Sequence, residues 1–160
     1  MNYFIIIRGP LGVGKTTVAN ELANALTAKY ISIDDILDEL KIESQDDYIS
    51  ETNFFRANKI ALERAKYFLH ENKPVIFDGN FYWESQVTDL VEKLDRRYYI
   101  FTLKAPLAVC IERDKRRIKP YGKEAVQAVY NKSTEFTIGT EIDATKSMND
   151  IINDIKKLIL

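Results

Sequence analysis

An apolar run from Tyr3 to Ile7 leads, through Arg8, into Gly9-Pro10-Leu11-Gly12-Val13-Gly14-Lys15-Thr16. That octet fits the phosphate-binding pattern G-x-x-x-x-G-K-[ST], and its place directly after a strand-like run gives the match structural meaning. The run reads as a buried strand. The glycines let the backbone curl so that successive N–H groups face inward, and the helix that follows turns its positive end toward an anion. A strand, a glycine-rich turn and a helix in that order commit the start of the chain to an α/β architecture. Candidate nucleotide-binding residues are Gly9, Leu11, Gly12, Val13, Gly14, Lys15, Thr16 and Thr17. Lys15 is expected to reach the outer phosphates, and Thr16 to offer its hydroxyl to a magnesium ion shared with the nucleotide.

Beyond the loop, strand-like and helix-like stretches alternate. Lys15 to Ala28 places Val18, Leu22, Ala25 and Leu26 at helical spacing. Tyr30 to Ile33 reads as a short strand ending in Asp34-Asp35, with Asp35 a candidate cap for a helix through Leu40. After a polar stretch from Lys41 to Asp47, a long helix is expected over Thr52 to His70, with Phe54, Ala57, Ala61, Ala65 and Phe68 on one face. Pro74 opens a third strand, Val75 to Asp78. A helix over Glu84 to Leu94, a strand over Tyr98 to Leu103 and a helix starting near Pro106 follow. Further helices are expected over Lys123 to Asn131 and near Ile151 to Ile159, with a short strand at Thr140 to Asp143. Strands alternating with helices imply a parallel five-stranded sheet, sandwiched by helices and joined by right-handed crossovers.

Length and charge narrow the options. The chain has 160 residues, which fits one domain over 1–160 with a real core. A net charge of −1 gives no global field toward nucleic acid or a membrane. Cys110 is the only cysteine, so no internal disulfide can form and a cysteine-based zinc site is not expected. The start of the chain lacks a basic-then-apolar leader, and no stretch approaches the ~20 apolar residues of a spanning helix. A soluble cytoplasmic protein is expected, without membrane contact and with no protein partner evident.

In parallel sheets ligands bind beyond the carboxyl ends of the strands. The loop, Asp34-Asp35 and Asp78-Gly79-Asn80 all follow strand ends and should gather on one edge. Phosphoryl transfer needs a held phosphate, neutralised charge and a destination for the acceptor's proton. Asp34 and Asp78 compete for the acidic roles. Asp78, ending an apolar strand expected beside the loop strand, suits a carboxylate holding magnesium with Thr16. Asp34, one strand further out, suits the acceptor hydroxyl as general base or orienting group. Asn80 and Arg56 are candidate acceptor contacts, and Phe81, Tyr82 and Trp83 belong either to the core or to an acceptor pocket. Lys104 to Lys123 carries seven basic against two acidic residues. Arg113 can share a helix face with Arg116 or Arg117, and the segment from about 113 to 123 is expected to act as a short basic lid over ATP phosphates.

Taken together these residues resemble the small P-loop kinases: the AAA-type predicted kinases, chloramphenicol phosphotransferase, gluconate kinase, adenylylsulfate kinase and the kinase domain of polynucleotide kinase. The resemblance spans nearly the whole chain. Tyr30 to Asp35 is similar to the second-strand motif whose first aspartate, here Asp34, contacts the acceptor hydroxyl in several of these enzymes. Val75 to Asn80 resembles their V-I-x-D-G segment, Ala105 to Arg117 the helix into their arginine-bearing lid, and Glu141 to Ala144 the segment before their last helix. Leu37 stands where polynucleotide kinase has an arginine, and the G-D-N motif of adenylylsulfate kinase is missing.

The resemblance implies a P-loop nucleoside triphosphate hydrolase fold and an ATP- and magnesium-dependent kinase. Its acceptor is expected to be a hydroxyl on a metabolite, nucleoside or antibiotic-like compound, with Lys15, Asp34, Arg113 and Arg117 catalytic and Arg113 and Arg116 on the nucleotide. The alternatives are a nucleotide-binding regulatory NTPase and a nucleic-acid 5′-hydroxyl kinase. No N-K-x-D motif appears at Asn58-Lys59, Asn72-Lys73 or Asn131-Lys132, and the basic residues near the acceptor side, Arg56, Lys59 and Arg64, are interleaved with acids.

Overall fold

The run that opens the chain is the middle of the sheet. In the computed structural model, which describes residues 2–45 and 48–159, all six residues of strand β1 (Tyr3–Arg8) are buried. A strand covered on both faces has no exposed side to make polar, so its sequence is a continuous apolar run rather than an alternation. Among the described residues the order continues as α1 (Lys15–Leu26), β2 (Lys29–Ser32), α2 (Ile33–Glu39), α3 (Glu51–His70), β3 (Val75–Asp78) and α4 (Glu84–Leu94). It ends with β4 (Arg97–Lys104), α5 (Leu107–Lys115), α6 (Lys123–Ser133), β5 (Thr140–Asp143) and α7 (Met148–Ile159). The five strands form one parallel sheet in the order β2-β3-β1-β4-β5.

The expected α/β class and five-stranded parallel sheet are therefore present. Stepping from β1 out to β2 and then back across the sheet reverses the direction of travel. Right-handed crossovers then place α1 on one face and α2 to α6 on the other. Contacts agree, with α1 against β1, β2, β3 and α7, and α3 against β2, β3, α2 and α4. The C-terminal helix buries Ile151, Ile155 and Ile159 at four-residue spacing. No helix among the described residues is long and apolar enough to cross a membrane.

Register decides what meets at the carboxyl edge. Ile7 and Ser32 both pair with Asp78, so the ends of β1, β3 and β2 are level. Element boundaries differ from the expectation at one informative place, the junction of β2 and α2. α2 starts at Ile33, because the Ser32 hydroxyl accepts the Asp35 amide hydrogen at 3.1 Å. Ser32 therefore caps the helix and Asp35 does not. Asp34 stands in the first helical turn rather than at the strand's end. The polar stretch expected from Lys41 to Asp47 is described as far as Gln45, and Asp46 and Asp47 lie outside the described residues.

Candidate active site

The loop from Gly9 to Thr16 joins β1 to α1 and is shaped by its glycines. Gly12 sits at φ 78°, and a Cβ there would lie 2.3 Å from the Cys110 carbonyl oxygen. Only a residue without a side chain lets α5 press its backbone against the loop. Gly14, at φ 103°, is the N-cap of α1, with no side-chain cap and no acid in the first turn. The first amides of α1 therefore have no side-chain acceptor of their own, the condition for an anion site.

Lys15 is buried, and its ammonium donates to the Pro10 carbonyl at 2.8 Å. Burial pushes its pKa below the ordinary lysine value, while the Asp78 and Asp34 carboxylates favour the charged form. Thr16 donates its hydroxyl to Asp78 Oδ2 at 2.9 Å, and the Tyr30 hydroxyl donates to the same oxygen at 2.7 Å. Two donors thus hold a buried carboxylate in one orientation beside the loop. Among the described residues no cluster of three metal-ligating side chains exists. A hydroxyl beside one fixed carboxylate matches the sparse protein contribution to a magnesium ion completed by water and phosphate oxygens.

Two depressions open at this edge. The first, about 240 Å³, is lined by the loop residues Leu11, Gly12, Gly14, Lys15, Thr16 and Thr17, together with Asp34, Arg113 and Arg117. The second, about 430 Å³, runs from Leu11 and Asp34 past Leu37, Phe54 and Asn80 to Tyr82 and Tyr121. Asp34 and Leu11 belong to both. Burial raises the Asp34 pKa above the ordinary aspartate value, with Asp78, Asp38 and Asp35 adding to the rise and Lys15 opposing it. A half-buried carboxylate with raised proton affinity, between the loop depression and a second cavity, can accept a proton from a group held in that cavity.

The other expected residues divide. Arg113 donates to the Val13 carbonyl at 2.8 Å and to the Ala144 carbonyl at 2.9 Å, which fixes its guanidinium against the loop. Arg117 lines the same depression and stands over the Tyr121 ring at 4.9 Å. Arg116, the exposed C-cap of α5, does not line it. Gly9 and Val13 support the loop from behind: Val13 is buried and Gly9 borders a separate depression beside Thr102 and Leu103. Asn80 lines the larger cavity, whereas Arg56 is exposed on α3, donates to Asn53 Oδ1 at 3.1 Å and borders a different depression with Lys41. Of the three aromatic residues after Asn80, only Tyr82 lines the larger cavity. Phe81 is fully buried, and the Trp83 indole donates to the Ile49 carbonyl at 2.8 Å.

Sequence reasoning missed several members of the site. Tyr30 orients Asp78, yet nothing in a four-residue strand marks one tyrosine as a partner of a distant aspartate. Asp114 is buried and accepts the amide hydrogens of Tyr121 and Gly122, each at 3.0 Å, tying the start of α6 to the end of α5. An acid inside a strongly basic segment was the available signal. Arg8, fully buried at the end of β1, donates to the Phe81 carbonyl at 3.2 Å, to Thr102 Oγ1 at 3.1 Å and to the Ser133 carbonyl at 2.9 Å.

A family profile described as AAA domain matches residues 4–136. No protein of curated function matches the chain in sequence. Among solved structures, the fold is similar to a gluconokinase from Sinorhizobium meliloti 1021, with TM-score 0.73 and 17% identity over 96% of this chain and 89% of that one. It is also similar to a sugar kinase from Janibacter sp. HTCC2649, with TM-score 0.80 and 14% identity over 99% and 95%. A third similarity is to the Deinococcus radiodurans tunicamycin resistance protein, with TM-score 0.73 and 22% identity over 99% and 96%. Identities this low carry the fold and leave the acceptor open. With its loop, parallel sheet and profile match in agreement, the chain belongs to the AAA domain family and has the fold of the small P-loop kinases.

Proposed function

We propose that this protein is an ATP-dependent kinase that transfers the γ-phosphate of Mg-ATP to a hydroxyl group of a small molecule. The observation that carries this reading is the pair of depressions meeting at Asp34: one lined by Lys15, Arg113 and Arg117, the other large enough for a small organic acceptor. Loop amides and Lys15 hold the β- and γ-phosphates, and Arg113 and Arg117 face them from the same depression. Thr16 and Asp78 are the residues that hold magnesium, which when bound neutralises charge on the phosphate oxygens. Asp34 orients the acceptor hydroxyl and takes its proton. A bond forms from the acceptor oxygen to the γ-phosphorus as the bond to the β–γ bridging oxygen breaks, and ADP leaves. The segment joining α5 to α6, tied at its base by Asp114, serves as the lid that brings Arg117 over the phosphates.

The test is incubation with magnesium and γ-labelled ATP against pools of metabolites, nucleosides, aminoglycoside-like compounds and 5′-hydroxyl oligonucleotides, with Lys15→Ala as control. Label entering one small-molecule pool, and lost in the control, is the expected result. ATP binding with only slow hydrolysis across all pools would overturn the kinase reading in favour of a regulatory NTPase.

A further inference from the structure

The two depressions carry opposite charge. Lys15, Arg113 and Arg117 line the phosphate side, with Asp34 alone against them. On the acceptor side the charged lining among the described residues is entirely acidic: Asp34, Asp38 and Glu43. Neither Asp38 nor Glu43 forms an ion pair among the described residues. Lys41 and Arg56 line a neighbouring depression, which shares Ile42, Glu43 and Ser44 with the cavity, and Arg117 reaches the cavity only at its Tyr121 end, over that ring at 4.9 Å. Glu43 therefore lies between the two, and Asp34 and Asp38 face the cavity without an opposing cation in its wall.

A second observation has the same sign. Asn80 lines the cavity and keeps its Oδ1 buried with no hydrogen-bond partner. A buried acceptor atom left unpaired is costly, so the site calls for a ligand that brings hydrogen-bond donors. The phenols lining the cavity respond to the same field. Burial raises the pKa of Tyr82 to about 12, and Asp34 adds to the rise. Burial likewise raises that of Tyr121, with Asp34 and Asp38 adding to the rise and Arg117 opposing it. The remaining wall is apolar, formed by Leu37, Ile42, Phe54 and Val129.

Resting on the kinase reading, we infer that the acceptor is a hydroxylated organic cation, a protonated amino alcohol or amino sugar with an apolar flank, and not an anionic sugar acid. Its ammonium would meet Asp38, with the Asn80 amide beside it, while one hydroxyl reaches Asp34. A carboxylate-bearing acceptor would be placed against three carboxylates with no guanidinium or ammonium in the cavity wall to receive it. Charge separation between the halves also keeps the substrates apart: the triphosphate is repelled from the acceptor cavity, and a cation is repelled from the arginines.

The test offers Mg-ATP and three acceptor sets: aminoglycosides and amino alcohols, the same compounds N-acetylated, and aldonic acids. Both phosphoryl transfer and equilibrium binding are measured. The expected result is transfer to amines, with kcat/KM lowered on the order of tenfold or more by N-acetylation, the worth of a charged hydrogen bond. Asp38→Asn is expected to raise KM for the amine and erase most of the preference over the N-acetylated compound. Asp38 is exposed, so the substitution does not threaten the core. Equal or better transfer to N-acetylated or anionic acceptors would overturn the charge inference and leave the kinase reading standing. Selective binding of amines without transfer to any acceptor would do the reverse. Neither transfer nor amine binding would sink both.

Discussion

In the proposed site the phosphate side is a backbone device and the acceptor side is a side-chain device. On the first, the working groups are amides at the start of α1, shaped by glycines and braced by α5 through the Gly12 contact and by Arg113 through the Val13 carbonyl. On the second, the wall is assembled from α2, the segment leading to α3, the residues after β3, and α6. A substitution can hardly alter a backbone amide, but it readily alters a side-chain wall. One half is therefore fixed in chemistry while the other is free to take different acceptors on the same frame.

That contrast is most sharply tested at Lys15, the buried lysine of the loop. Lys15→Ala is expected to lower kcat on the order of 10³-fold or more, as for the loss of a group that stabilises transition-state charge. Acceptor binding measured by calorimetry should change little. Equal losses in both measurements would mean that the halves are not separable.

Asp34 sits where the halves join, and Asp34→Asn is expected to cost on the order of 10²- to 10⁴-fold in transfer if it takes the acceptor's proton. Its raised pKa gives a second handle. Activity requires the ionised form, so the rate should fall as pH falls through a value above the ordinary aspartate range of about 4. That limb should vanish in the Asn variant. Because the folded-state pKa is raised, ionisation of Asp34 costs folding stability, a cost that grows as pH rises from the unfolded value through the folded one. The Asn variant should therefore melt no lower than the parent at neutral pH. An unshifted acid limb would remove Asp34 from the proton-transfer role.

A smaller loss is expected from Gly12→Ala. A Cβ overlapping the Cys110 carbonyl oxygen and a left-handed backbone together cost about 2–4 kcal/mol. Reduced thermal stability together with weaker ATP binding is the predicted pattern, read by calorimetry in both cases. Normal ATP affinity would show that α5 does not set the loop's shape.

The same contrast explains what the sequence disclosed. The loop is eight contiguous residues whose spacing is its mechanism, so it was legible at once, and strand ends located Asp34 and Asp78 on the correct edge. Arg56 borders a different depression, and the helix pattern gives the reason: two residues from Phe54 is about 200° around a helix, on the face away from the buried stripe. Arg116 and Arg117 could not be separated by helical spacing, because the helix ends at Lys115 and the chain turns there. Asp35 fits a cap only if the strand runs on to Ile33; it ends at Ser32, whose hydroxyl already accepts the Asp35 amide hydrogen. Residues whose partners come from far along the chain left the weakest trace, and Arg8 is the extreme case.

Arg8 ends β1, one residue before the loop, and its guanidinium gathers partners 73, 94 and 125 residues away while stacking on Phe136 at 4.4 Å. Burial lowers its pKa to about 10, so it stays protonated at neutral pH. One of those partners, the Phe81 carbonyl, belongs to a residue at φ 46°, a left-handed conformation that a bulky aromatic side chain seldom adopts. The Phe81 ring is seated so close to Gly79 that a Cβ there would fall 2.9 Å from it. Arg8 thus holds the strained turn between Asn80 and Tyr82, two residues of the acceptor cavity, from a strand that feeds the phosphate loop. Arg8→Met removes a costly buried charge but strands the Phe81 and Ser133 carbonyls, while Thr102 keeps its bond to the Ile138 carbonyl. A net loss of about 1–3 kcal/mol is expected, by denaturant unfolding. Arg8→Lys should recover little of it, since one ammonium cannot reproduce a planar fork reaching three acceptors. With the turn released, KM for the acceptor should rise several-fold more than KM for ATP, the split expected of a residue that positions the side-chain half alone. An equal rise in both would make Arg8 a brace for the whole edge and erase the distinction between the halves at this point in the fold.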